Sequence, residues 1–98
     1  MVDLLIELII ILVNTTFLNH HQIEDNIEKK RKSILDFCSS LSNEQKQNSE
    51  AFNDIFRTYA DYEQILKDNG MENGQAEESM KFIREKYHEK LRNGEFNI

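Results

Sequence analysis

From Leu4 to Leu18 the chain reads LLIELIIILVNTTFL, and within it Ile9, Ile10, Ile11, Leu12 and Val13 are consecutive apolar residues. A helix built from them is apolar on every side, which a surface helix lying against a folded core does not tolerate. The segment, with Leu5 and Leu8 one turn earlier, must therefore be buried in something. A membrane span asks for about 20 predominantly apolar residues. This stretch is shorter, holds Glu7 near its start and ends through Asn14, Thr15 and Thr16. As a cleavable secretory signal it fits poorly, since Asp3 stands where lysine or arginine belongs and no small-x-small site follows. Two fates stay open. The segment is either a membrane anchor, or a core or oligomerisation helix with Asp3 and Glu7 at its solvated start, where the helix dipole favours negative charge. A buried strand from Ile6 to Val13 has suitable residue types but lacks partner strands.

The remainder reads as helices. Proline is absent and glycine occurs only at positions 70, 74 and 94, so the turn chemistry that many short strands need is missing. Between residues 22 and 41, Ile23, Ile27, Ile34, Phe37, Cys38 and Leu41 recur at spacings that make one apolar stripe on a helix. Ser42 with Gln45 three residues later matches a capping box and predicts a new helix from Asn43. Its packing stripe is Phe52, Ile55, Phe56, Tyr59, Tyr62 and Leu66, widened by Ala51, Ala60 and Ile65, and Gly70 supplies the stop. Asn73 then caps a last helix carrying Ala76, Met80, Ile83, Tyr87 and Leu91, which ends at Gly94. The expected fold is all-α, a small helical bundle or helical hairpin of three amphipathic helices plus a hydrophobic N-terminal helix. It divides into residues 1–18, a helical domain over 22–93 and a tail over 94–98. A single cysteine, Cys38, excludes an internal disulfide, and a core this small is a natural candidate for association.

Eighteen acidic against twelve basic residues give a net charge of −6. That balance argues against a nucleic-acid partner, because phosphate binding needs clustered cations. The one basic cluster is Lys29, Lys30, Arg31 and Lys32, preceded by Glu24, Asp25 and Glu28. On a solvated helix, Asp25 with Lys29 and Glu28 with Lys32 make i,i+4 pairs of about 0.2–0.5 kcal/mol each. If the N-terminal segment spans a membrane, the same run is a juxtamembrane basic patch that places the C-terminal part in the cytoplasm.

Catalytic constellations are weak. Glu85 and His88 have the Glu-x-x-His spacing of carboxylate-bridged metal sites, but it occurs once, and such a site needs a second pair and two further inward glutamates. His20 and His21 with Glu24 and Asp25 read as polar residues at a helix start, and Cys38 reads as a small core residue rather than a nucleophile. The expectation is a non-enzymatic protein without cofactor or metal.

Taken in order, a hydrophobic N-terminal segment followed by KKRKSILDF at residues 29–37 resembles a group of uncharacterised bacterial proteins with one membrane anchor, a basic juxtamembrane helix and a small helical cytoplasmic domain. The resemblance covers the first 40 residues and implies no function and no site residues. The reading that follows is an interaction or regulatory module whose partner is another protein or itself, tethered to the cytoplasmic face of a membrane by residues 4–18. The alternative is a soluble cytoplasmic bundle or homodimer that regulates or inhibits another protein.

Overall fold

A computed structural model describes residues 2–96. It contains three helices, α1 (Val2–Ser42), α2 (Ser49–Asp68) and α3 (Ala76–Arg92), and no strand among the described residues. The all-α expectation holds, with one change of layout. The hydrophobic segment and the first amphipathic helix, read as separate elements, form one unbroken helix of 41 residues. No proline or glycine interrupts this region, and side chains one turn apart hold the junction. Phe17 stacks on His21 with ring centroids 6.1 Å apart, His20 Nε2 lies 2.9 Å from Glu24 Oε1, and His21 Nε2 lies 3.9 Å from Asp25 Oδ2. The molecule is accordingly elongated, 72 × 23 × 20 Å.

Only the C-terminal half of α1 is packed. Ile27, Ile34 and Leu41 are buried, with Ile23, Phe37 and Cys38 beside them, and α2 and α3 pack chiefly on this face. From α2 come Phe52, Ile55, Tyr59, Tyr62 and Leu66, and from α3 Ala76, Met80 and Ile83. Phe52 is the hub of an aromatic cluster. Its ring centroid lies 5.1 Å from Phe37, 5.4 Å from Tyr87 and 5.7 Å from Phe96. Edge-to-face arrangements such as Phe37 on Phe52 add stabilisation beyond the buried area. Phe96 thus joins the core from the stretch read as a tail, while Met1, Asn97 and Ile98 lie outside the described residues. Two residues placed in the stripes are solvent-facing instead: Ala60 and Leu91 are exposed because α1 covers a narrower arc of each helix than the pattern allows.

All three helices stop in the same way. After α2, the Gly70 N–H donates to Lys67 O and the Met71 N–H to Leu66 O; after α3, Gly94 donates to Leu91 O and Glu95 to Lys90 O. Gly70 and Gly94 have φ of 64° and 67°, the left-handed conformation that closes a Schellman motif. After α1 the same two bonds run from Glu44 to Leu41 O and from Gln45 to Ser40 O, and here the left-handed residue is Glu44, at φ 62°. Gln45 is therefore committed to ending α1 and cannot serve a capping box. The expected start at Asn43 is corrected: α2 begins at Ser49, capped by Asn48, whose Oδ1 accepts from the Ala51 N–H at 2.8 Å. Ser42 is the last residue of α1, with its hydroxyl donating to Cys38 O at 3.1 Å. A side chain in the left-handed region costs about 1–2 kcal/mol, and glycine there gives back part of that as chain entropy. Glu44→Gly should therefore raise stability by about 0.5–1 kcal/mol, read as a shift of the urea midpoint at constant m-value.

The start of α3 also differs from expectation. Its N-cap is Gln75, without a side-chain bond, and Asn73 instead donates from Nδ2 to the Tyr59 hydroxyl at 2.6 Å. Burial pushes the Tyr59 phenol above its ordinary pKa, opposed by this Asn73 contact. The linker is thereby tied to α2 in place of capping α3.

Candidate functional site

The functional candidate is the half of α1 that nothing covers. Leu4, Leu5, Ile6, Leu8, Ile9, Ile10, Ile11, Leu12, Val13, Phe17 and Leu18 are each between 49% and 66% exposed. These eleven side chains, left in water, forgo on the order of 10–20 kcal/mol of transfer free energy. That matches the whole net stability of a typical domain, about 5–15 kcal/mol, so the surface requires a non-aqueous environment or a partner. Within the chain they are not core, and the core begins only at Ile23.

The geometry of this segment is set by the continuous helix. From Leu4 to Leu18 the rise is about 21 Å, and from residue 2 to residue 22 about 30 Å, at 1.5 Å per residue. The first figure is shorter than the hydrocarbon thickness of a typical bilayer, about 30 Å, and the second reaches it only by including Asp3 and the polar residues Asn19 to Gln22. By length and composition α1 is long and apolar enough to cross a membrane. Thr16 donates its hydroxyl to Leu12 O at 2.9 Å, which satisfies that polar group within the helix itself.

The basic run sits farther along. Lys29 lies about 16 Å beyond Leu18 on the helix axis, by the same rise per residue, and the four residues are consecutive, so they encircle the helix. Lys29 and Lys32 are exposed, while Lys30 and Arg31 are half-buried. The ion pairs differ from those expected. Glu28 pairs with Arg31 rather than Lys32, and Asp25 faces His21 rather than Lys29. Arg31 is held inside the fold, its Nε donating to the Tyr62 hydroxyl at 3.4 Å. That contact raises its pKa further, against an opposing effect of burial. Sequence spacing pointed to i,i+4 partners; the proximity of α2 turned the Arg31 side chain aside and left Glu28 to follow it.

The packing residues Phe52, Ile55, Tyr59, Leu66, Met80 and Ile83 are buried, and Phe56 and Tyr87 are half-buried with rings 5.1 Å apart. Glu85 and His88 are exposed on α3, and among the described residues no three His, Cys, Asp or Glu side chains gather as a metal ion would need. Cys38 is half-buried against the core. The sequence pattern missed two residues that pack against the core: Phe82, next to Ile83 on α3, and Phe96, after Gly94 and without periodicity to mark it. No family model, curated protein or solved structure matches this chain.

Proposed function

We propose that this chain is a membrane-tethered interaction module without chemistry of its own: α1 crosses the membrane once through residues 4–18, and residues 22–93 form a helical domain on the cytoplasmic face that meets another protein or a second copy. The observation that carries this reading is the array of eleven exposed apolar side chains on a helix rigidly continuous with a packed domain. Leu, Ile, Val and Phe each favour insertion by about 0.3–0.6 kcal/mol, and one acidic residue at the bilayer centre costs about 2.5–3.5 kcal/mol. Eleven such residues sum to about 3–7 kcal/mol, set against one carboxyl and the polar Asn14, Thr15 and Thr16 of the same span. Glu7 is moreover about 4.5 Å from Leu4 along the axis, close to the interface, where its cost is lower.

Orientation follows from the basic run. Lys29 to Lys32 fall within the 15–20 residues beyond a span that count toward the positive-inside bias, whereas residues 2–18 contain no lysine or arginine. Their distance from Leu18 exceeds the Debye length of about 8 Å at physiological salt, and Glu24, Asp25 and Glu28 stand between. Anchoring in this reading is apolar, not electrostatic.

Membrane fractionation tests it. The full chain should stay in the membrane through both high-salt and alkaline carbonate washes, and a chain beginning at Gln22 should be soluble and helical. Release of the full chain by carbonate, with an unfolded truncation, would favour the soluble bundle, in which another copy covers α1.

A further inference from the structure

Going round α1 at about 100° per residue, Asp3, Glu7, Asn14 and His21 fall within an arc of about 40°. The buried residues Ile27, Ile34 and Leu41 and the half-buried Ile23, on which α2 and α3 pack, lie about 160° away round the same helix. The apolar half of α1 thus carries a polar stripe on the side turned away from its own domain. We propose that a second copy of this chain docks along this stripe, forming a parallel homodimer within the membrane. The proposal rests on the membrane-tethered reading above.

Three observations select a second copy as the occupant. First, Glu7 is the only polar side chain between Leu4 and Val13. Copies inserted in one orientation meet in parallel, so the group facing Glu7 at its own depth is the counterpart Glu7. Polar side chains in lipid favour interhelical hydrogen bonds over remaining unpaired, and two carboxyl groups form one by sharing a proton, the protonated oxygen donating to its counterpart. Second, the Asn14 amide is self-complementary, since its Nδ2 donates to the counterpart Oδ1 and the reverse bond forms by symmetry. Positions 7, 14 and 21 are spaced by seven, with Ile10 and Phe17 three residues after the first two, which makes the a and d seam of a coiled coil. An asparagine at one a position fixes register and favours two strands. Third, Thr16, on the opposite side, has its hydroxyl already bonded to Leu12 O, so its hydroxyl needs no partner helix.

The domains do not obstruct the contact. Because α2 and α3 lie on the far side of α1, two copies joined along the stripe carry their bundles outward. Beyond His21 the same side continues through Asp25, Glu28 and Lys32, which a parallel copy would set opposite like charges, so the seam is confined to the apolar half of α1.

The test uses the full chain with Cys38→Ala in phosphatidylcholine vesicles containing phosphatidylglycerol, carrying one new cysteine at a time and oxidised with copper phenanthroline. Ile10→Cys and Phe17→Cys should cross-link to dimer at least tenfold faster than Leu5→Cys and Leu12→Cys, which lie on the opposite side. Adding Asn14→Leu or Glu7→Leu should cut the seam cross-link fivefold or more, while resistance to carbonate stays equal or increases, since both changes make the helix more apolar. Equal cross-linking on both faces, or a seam cross-link indifferent to Asn14→Leu and Glu7→Leu, overturns the dimer and leaves the anchor standing. Release of the unmodified full chain by carbonate overturns both.

Discussion

Ile10→Asp should strip the protein from membranes and leave its helical domain folded. The substitution exchanges a residue that favours insertion by about 0.3–0.6 kcal/mol for one that opposes it by about 2.5–3.5 kcal/mol near the bilayer centre. The difference, about 3–4 kcal/mol, is a 100- to 1,000-fold change in partition, at 1.4 kcal/mol per factor of ten. Glu7 one turn away compounds the effect, since the helix would then carry two carboxyl groups on neighbouring turns. The fold should hardly respond, because Ile10 is 52% exposed and the core starts thirteen residues later at Ile23. A surface change of this kind moves stability by no more than about 0.5 kcal/mol. Flotation with vesicles reads the first effect, and circular dichroism during urea titration reads the second. Unfolding of the Ile10→Asp chain would mean that the apolar half of α1 is buried in protein, where an unpaired charge is costly.

The second large effect is expected at Phe52. Its side chain is fully buried and meets Phe37 of α1, Tyr87 of α3 and Phe96 beyond α3, so it joins every part of the bundle. Phe52→Ala removes the hydrophobic transfer of the ring and leaves a cavity that three aromatic neighbours line. Such a change costs about 3–5 kcal/mol. A domain of some 70 residues draws about that much net stability from a single core. Phe52→Ala should therefore leave residues 22–96 largely unfolded at 37 °C, while Phe52→Leu, which refills most of the volume, should keep the fold with a lowered melting temperature. The anchor does not depend on this core. The Phe52→Ala protein should remain in the membrane fraction and become protease-sensitive there.

The parts of this fold that a reader of the sequence could find were those written as a period. The stripe Phe52, Ile55, Tyr59, Tyr62 and Leu66 identified the face of α2 because every member is buried on one side of that helix, and Gly70 and Gly94 marked two helix ends because glycine adopts the left-handed conformation without strain. The third end was hidden for the same physical reason. Glu44 occupies that conformation with a side chain attached, so nothing at the level of residue type separated a stop at residue 42 from a start at residue 43, and Ser42 with Gln45 imitated a cap.

Continuity across residues 19–22 was hidden differently. Asn19, His20, His21 and Gln22 look like a polar break, yet none of them breaks a helix, and the contacts of Phe17 with His21 and of His20 with Glu24 lie one turn apart. Tertiary contacts were the least legible: neither the Arg31 contact with Tyr62 nor the docking of Phe96 follows from local pattern. For the candidate site the outcome divides along the same line. The apolar run named its own residues, but its freedom from the core became visible only when α2 and α3 were seen to end their contact with α1 at Ile23.

The most direct test of the central claim is the depth of α1 in a bilayer. A nitroxide attached in turn at Leu5, Leu8, Leu12 and Leu18, each as a single cysteine in the full chain with Cys38→Ala, reports access to oxygen, which dissolves in lipid, against access to a water-soluble nickel complex. A spanning helix predicts high oxygen and low nickel access at Leu8 and Leu12, with nickel access rising toward both Leu5 and Leu18. Nickel access that is high at all four positions, or that varies only with the side of the helix and not with position along it, would contradict a transmembrane anchor.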